Sequence, residues 1–198
     1  MVLSFEMESY LIQVIQKSIS LTKEEISAVD SAFGLRLKLE KDQLLYPSNS
    51  HCKYIFFIEK GIVKHAYLSE KGEIITCDFS MEGQFLTDYG SFTTNRASLY
   101  QFQALEELHF YRINLVDLMN LYASHPKIET FGRMIAEQTT ERITQMARSL
   151  ISEKASDRYE RLLKEKPDLL QRVPQKYIAA YLGVKPESLS RIRKNYLG

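Results

Sequence analysis

The sequence predicts an α+β protein: an N-terminal antiparallel β-roll of double-stranded β-helix or jelly-roll type, one long helix, and an all-α helix-turn-helix module at the carboxy end. Three observations predict it. Short runs of alternating residues are punctuated by Gly61, Gly72 and Gly83, each eleven residues from the next, as in successive hairpins wound in one direction. After Leu115 strand signals vanish, and a helical apolar pattern begins at His125-Pro126. In the last two dozen residues, two short helical patterns meet at Gly183. These shifts divide the chain into 1–124, 125–153 and 154–198.

Taken in order, residues 8–33 read as helical. Leu35-Arg36-Leu37-Lys38-Leu39-Glu40 then alternates strictly, the signature of a half-buried strand. Residues 53–57 and 62–68 are β-rich runs separated by Glu59-Lys60-Gly61, and 74–79 follows the turn Ser69-Glu70-Lys71-Gly72. An alternating aromatic stretch over 100–113 closes the series. The long helix runs to about Ser152, with Ile128, Phe131, Ile135, Ile143, Met146 and Leu150 along it. One face packs on the β-domain and a second stripe is available to a partner helix, interrupted by Thr139, Thr140 and Arg142. Residues 155–166, with Arg158, Tyr159, Arg161, Leu162 and Leu163, form a short amphipathic helix stopped by Pro167. It supplies the third helix that a helix-turn-helix needs to enclose a core.

In the terminal pair, Ile178 and Leu182 are one helical turn apart, as are Leu189 and Ile192, so each helix has one face to bury. Ala179 marks the closest approach, Gly183 ends the first helix in the left-handed region, and Pro186 suits the first turn of the second. With Leu189 and Ile192 inward, Glu187, Ser188, Arg191 and Lys194 point outward, as groove-reading residues must.

Charge agrees with that reading. From Gln171 onward six basic residues face Glu187 alone, a surplus of five positive charges in a chain whose formal net charge is +1. The remainder is therefore acidic by four, and a basic end on a mildly acidic body suits contact with phosphate by the end only. The start, Met1-Val2-Leu3-Ser4-Phe5-Glu6, lacks a basic n-region, and no apolar run approaches membrane-spanning length. Cys52 and Cys77 read as isolated reduced thiols, so a cytoplasmic protein is expected. No Gly-x-Ser-x-Gly elbow, P-loop, His-Glu-x-x-His or Rossmann fingerprint is present, and Glu24-Glu25 and Glu106-Glu107 are adjacent pairs that do not share one face. An enzyme is not expected, nor a bound cofactor or metal.

A glycine-punctuated β-domain, a long helix and a terminal helix-turn-helix resemble the Crp/Fnr family of bacterial transcription regulators over nearly the whole chain. The spacing of Gly61, Gly72 and Gly83, the segments Gly83-Gln84-Phe85 and Ala104-Leu105-Glu106, and the helix-turn-helix carry the resemblance. It implies a sensory β-roll over 1–124, a dimerisation helix over 125–153 that pairs with its twin, and a DNA-binding domain over 154–198. It further implies double-stranded DNA, a second copy and RNA polymerase as partners, with a small-molecule effector that the sequence leaves unnamed. A small-ligand sensor whose helix-turn-helix serves protein interaction is the alternative.

Family positions carry over residue by residue. Glu187, Ser188 and Arg191 match the positions that face base edges: Arg191 suits guanine O6 and N7, Glu187 the cytosine amino group, and Ser188 a base or phosphate. The arginine common at the position of Pro186 is missing, and the chain stops at Gly198 without the family's β-hairpin wing. Phosphate contacts are therefore expected from Lys176, Tyr177, Arg193 and Lys194. The phosphate cassette is degenerate: Gly-Glu-Leu aligns with Thr87-Asp88-Tyr89, and its arginine falls near Ser98, with Arg96 two residues early. The Thr-Ser pair of the long helix aligns with Ile143-Thr144. These losses argue against cyclic AMP, although Arg96 could still supply the phosphate partner, and leave Asp88, Tyr89, Arg96, Ser98 and Thr144 as ligand-pocket candidates. A cavity lined by Tyr89, Phe92 and Phe102 is a further expectation. Two cysteines cannot hold a cluster that needs four, and His51, Cys52, Cys77 and His109 lack haem-ligand spacing.

Overall fold

The computed structural model describes residues 9–197, so the reading of Met1-Val2-Leu3-Ser4-Phe5-Glu6 and the expected helix start at Glu8 lie outside the described residues. Two helices, α1 (Tyr10–Gln16) and α2 (Lys23–Phe33), replace the single one expected over 8–33. Thr22 divides them. Its hydroxyl accepts the Glu25 N–H at 3.2 Å while the Glu25 carboxylate accepts the Thr22 N–H at 2.7 Å, a capping box that begins a new helix.

The strands, numbered in chain order, form two four-stranded antiparallel sheets. The first runs β1 (Leu37–Leu39), β10 (Leu108–Asn114), β4 (Tyr54–Lys60), β7 (Phe85–Leu86). The second runs β2 (Leu44–Tyr46), β9 (Tyr100–Ala104), β5 (Val63–Leu68), β6 (Ile74–Ser80). A small pair, β3 (Ser50–His51) and β8 (Ala97–Ser98), closes one end. Phe56, Ile58, Val63, Phe102, Leu108 and Phe110, drawn from both sheets, form one buried cluster. Each such side chain contributes about 1.5–3 kcal/mol through its removal from water. The β-roll expected from the glycine spacing is therefore present.

Corners between the sheets explain where the sequence reading and the fold part. The single run expected over 100–113 is two strands, because Leu105-Glu106-Glu107 carries the chain from the second sheet to the first. The connection from β4 to β5 makes the reverse crossing beside it at Gly61, whose φ is +104°. A Cβ at Gly61 would stand 2.7 Å from the Glu107 carbonyl oxygen, so two backbones meet here with no room for a side chain. Gly61→Ala is expected to cost at least about 2 kcal/mol in urea unfolding, from positive φ and the backbone clash together.

Inside the second sheet His65 faces Asp78 across the β5–β6 ladder, packs against Phe102 in a tilted pair with centroids 4.7 Å apart, and places Nε2 2.9 Å from Ser80 Oγ. Burial pushes its pKa down from 6.5 to about 4, against the pull of Asp78 and with a push from Arg142. Above pH 6.5 the ring is neutral whether folded or not. As pH falls below that value the unfolded chain takes the proton first, so stability declines until the folded ring titrates near pH 4. The loss amounts to at most about 3 kcal/mol. In urea unfolding at stepped pH, His65→Gln should lose less stability than the wild type across that window.

Between the β-roll and the long helix lies α4 (Leu115–Ser124), which the sequence reading did not anticipate. Asn114 caps it, its side-chain Oδ1 accepting the Asp117 N–H at 2.9 Å. The long helix, α5 (Pro126–Ser152), matches the expected span. At its start Ile128 and Phe131 enter a core shared with Leu11, Ile12, Phe33, Phe57 and Ile113. Tyr122 of α4 lies across Gly132, where a Cβ would overlap its hydroxyl. Farther along α5 is largely uncovered, and Ile143 is 53% exposed. No helix among the described residues is long and apolar enough to cross a membrane.

Candidate nucleic-acid interface

Four helices build the terminal module: α6 (Ala155–Glu165), α7 (Pro167–Arg172), α8 (Gln175–Tyr181) and α9 (Pro186–Leu197). Pro167 stops α6 as expected, and it also opens α7, for which its fixed φ is suited at the first helical position. Tyr159, Leu162, Leu169, Val173, Ile178, Ala179, Leu182 and Leu189 share one buried cluster, with Val184 and Ile192 packed at its edge. Ile178, Leu182, Leu189 and Ile192, with Ala179 and Gly183, thus lie in the register read from the sequence.

The turn is closed by backbone geometry. Gly183 has φ +69°, the Val184 N–H reaches the Ala179 carbonyl at 2.9 Å, and the Gly183 N–H reaches that of Ala180 at 3.0 Å. This is a Schellman motif, and it satisfies carbonyls that the end of α8 would leave unpaired. The module is mounted on the long helix by Arg158. Its Nε and Nη2 donate to the Leu182 carbonyl at 3.2 and 2.8 Å, while Nη1 donates to those of Ser149 and Glu153 at 3.2 and 2.5 Å. One guanidinium therefore ties the end of α8 to the end of α5. Beside it Arg161 donates to Ser149 Oγ at 2.5 Å and to the Glu153 carboxylate at 2.9 Å. At the far end, the Tyr196 hydroxyl donates to Glu160 at 3.2 Å and its ring meets Tyr159 at 5.7 Å, holding α9 against α6.

Opposite buried Leu189, α9 presents Glu187, Arg191 and Lys194 to solvent. Ser188 is half-buried, with its hydroxyl 3.4 Å from Arg191 Nη2, so it stands at the flank of that face. Arg193 is also half-buried, whereas Lys176, at the start of α8, is exposed. Ser190 and Asn195 are exposed too and were missed. Ser190 lies one helical turn from Glu187, a spacing that would have placed it on the same face.

Tyr177, expected to touch phosphate, is half-buried, with the ammonium of Lys64 from the β-roll 4.2 Å from its ring centroid and that of Lys176 4.8 Å away. Lys64 itself is only 4% exposed. Phe79 of β6 meets Tyr181 at 5.5 Å, and Ile62 and Leu105 complete the contact. The terminal module is thus docked on the second sheet, and its core continues into the β-roll.

The five ligand-pocket candidates are engaged elsewhere or turned outward. The Asp88 carboxylate caps α3 (Tyr89–Thr94), accepting the Ser91 N–H at 3.1 Å. Buried Ser98 accepts the Tyr100 N–H at 2.9 Å; Tyr89, Arg96 and Thr144 are exposed. The expected cavity of Tyr89, Phe92 and Phe102 is not formed, since Phe92 belongs to the helix-covered core, Phe102 to the core between the sheets, and Tyr89 is 67% exposed. The Ser91 hydroxyl accepts the Cys52 N–H at 2.8 Å and donates to the Arg96 carbonyl at 2.6 Å, stitching the segment to itself. Where the polar interior meets α5, Arg142 pairs with Asp78 at 2.7 Å.

A β-roll is joined by a long helix to a terminal helix-turn-helix whose last helix exposes Glu187, Arg191 and Lys194. Residues 36–125 match the model of the cyclic nucleotide-binding domain. Among solved structures, a CooA mutant from Carboxydothermus hydrogenoformans is 16% identical, with a TM-score of 0.69 over 94% of this chain and 83% of that one. The c-di-GMP-responsive global regulator CLP of Xanthomonas campestris is also 16% identical, with a TM-score of 0.68 over 89% of this chain and 92% of its own. The catabolite activator protein of Thermus thermophilus is 15% identical, with a TM-score of 0.57 over 92% of this chain and 85% of its own. The chain thus carries a domain of the cyclic nucleotide-binding type at 36–125 and shares the fold of these three proteins over most of its length. No curated protein matches it in sequence.

Arg158 was the positioning residue that sequence patterns concealed. Its Ala variant should lose about 2–3 kcal/mol in urea unfolding, because three carbonyls lose a charged donor at once. Arg158→Lys, with one compact charge in place of a planar fork, should recover only part of that loss.

Proposed function

We propose that the chain is a sequence-specific DNA-binding transcriptional regulator of the Crp/Fnr type and not an enzyme. It would act as a homodimer on a pseudo-palindromic operator, with RNA polymerase as the machinery it influences. The observation that carries this reading is the face of α9: Glu187, Arg191 and Lys194 stand exposed at helical spacing, directly behind a closed turn and a shared apolar core. A helix presented in this way can enter a major groove, where the arginine fork matches guanine and the lysine a phosphate.

Dimerisation is supported by the long helix. Ala136, Thr140, Ile143, Ala147 and Leu150 alternate at spacings of four and three and are all exposed. That is a heptad seam, and α5, at about 40 Å, is long enough to carry it. To read successive major grooves, a second copy on this seam would have to hold its α9 about 34 Å from the first, one turn of duplex. In this reading 1–124 serves as sensor, 125–153 as dimerisation helix and 154–198 as reader. The self-satisfied segment around Asp88, Ser91 and Ser98 favours an effector other than cyclic AMP.

Selection of duplexes from a random pool should return two inverted half-sites. Against the selected duplex, Arg191→Ala should cost about 1–3 kcal/mol and relax preference at one base pair per half-site. Lys194→Ala should weaken all duplexes alike and lower the salt slope by about one. An unchanged affinity in the Arg191 variant would remove that residue from the reading face. Failure of the wild type to bind any duplex, with no salt-steep component, would favour the protein-interaction alternative.

A further inference from the structure

Arg172, the last residue of α7, stands two positions before Pro174 at the entrance to the helix-turn-helix. Its guanidinium reaches out of the terminal module to two carboxylates of the β-roll. Nη1 donates to Glu82 Oε2 at 3.1 Å and Nη2 to Glu82 Oε1 at 2.6 Å. On its other edge Nη2 donates to Glu106 Oε1, and Nε to Glu106 Oε2 at 3.4 Å. All three side chains are about two-thirds covered, so the cluster is better shielded than an ordinary surface pair.

Both acids sit on rigid ground. Glu106 lies in the corner between β9 and β10, and Glu82 Oε1 also accepts the Gly61 N–H at 2.8 Å in the neighbouring corner. The apolar contact alongside it, of Ile62, Phe79 and Leu105 with Tyr181 and the terminal core, holds the module down but is non-directional. A forked guanidinium between two fixed carboxylates is directional, and so it specifies a rotation of the module against the β-roll.

We propose that Arg172 is a positioning residue for DNA recognition: held between Glu82 and Glu106, it fixes the direction in which α9 presents Glu187, Arg191 and Lys194. The proposal rests on the DNA-binding reading above. It also has a consequence that simple electrostatics reverses. If Arg172 acted only as one more positive charge near phosphate, removing Glu82 and Glu106 would strengthen DNA binding. If the clamp sets the angle, removing the acids must weaken specific binding although the protein becomes less negative.

The test compares the full-length wild type with Glu82→Gln/Glu106→Gln, Arg172→Ala and Arg172→Lys on the selected duplex and on a scrambled one. Glutamine at Glu82 keeps an acceptor for the Gly61 N–H, so the corner is preserved. The expected result is a loss of at least about tenfold for the double glutamine variant on the selected duplex, with scrambled-duplex binding at wild-type level or tighter. Arg172→Lys, which keeps the charge and loses the fork, should also fall short of wild type. Adding Arg172→Ala to the double variant should cost little more on the selected duplex, because the clamp is already open. Retained scrambled-duplex binding shows that the variants remain folded; its loss along with specific binding would overturn a purely orienting role. Wild-type protein that binds no duplex would overturn both readings. Wild type that binds, beside a double glutamine variant that binds equally or more tightly, would overturn the clamp alone.

Discussion

The structure depends on one apolar seam. Ile62, Phe79 and Leu105 of the β-roll lie in the same buried cluster as Leu169, Val173, Ile178, Leu182 and Leu189 of the terminal module. A helix-turn-helix of this size has little core of its own, and each large side chain it buries contributes only about 1.5–3 kcal/mol before the entropy of ordering is subtracted. Shared burial makes up the deficit. It also means that α9 inherits its direction from the sheet on which the module rests, through contacts far from exposed Glu187, Arg191 and Lys194.

Polar contacts convert that adhesion into a defined geometry. Arg158 ties α8 to α5, and Arg172 ties the segment before α8 to the two stacked corners of the β-roll. Lys64 covers Tyr177 at the same interface, and Arg142 of α5 pairs with Asp78 of β6. Sheet, long helix and terminal module are therefore joined pairwise by arginines. A displacement of α5 against β6 would act on the orientation of α9 through groups already in contact. An effector could act in this way only by favouring one arrangement over another.

Much of this was legible in the sequence, and the rest was hidden for physical reasons. Periodicity gave the long helix, the main strands and the terminal pair, because burial of one face imposes a period wherever an element is long enough to show it. Short elements escaped: β2, β3, β7 and β8 have too few residues for alternation to register, and α3 and α4 are announced only by the caps Asp88 and Asn114. The split at Leu105 escaped because a corner between sheets keeps the apolar character of the strands it joins. Of the candidate site, the exposed face of α9 followed from helical spacing, whereas the packing of Lys64 over Tyr177 joins residues too distant in sequence for a pattern to show. Arg158 and Arg172 escaped because backbone carbonyls leave no mark in a residue pattern, and the carboxylate partners of Arg172 are far away in sequence.

Native-state hydrogen exchange of the full chain tests the shared core most directly. If the seam makes one cooperative unit, the slowest amides of Ile178, Leu182 and Leu189 should open with the same free energy as those of Ile58, Val63 and Leu108 in the β-roll. Opening of the terminal helices at a markedly lower free energy, while the sheets stay protected, would show a module that folds and turns independently and would contradict the account.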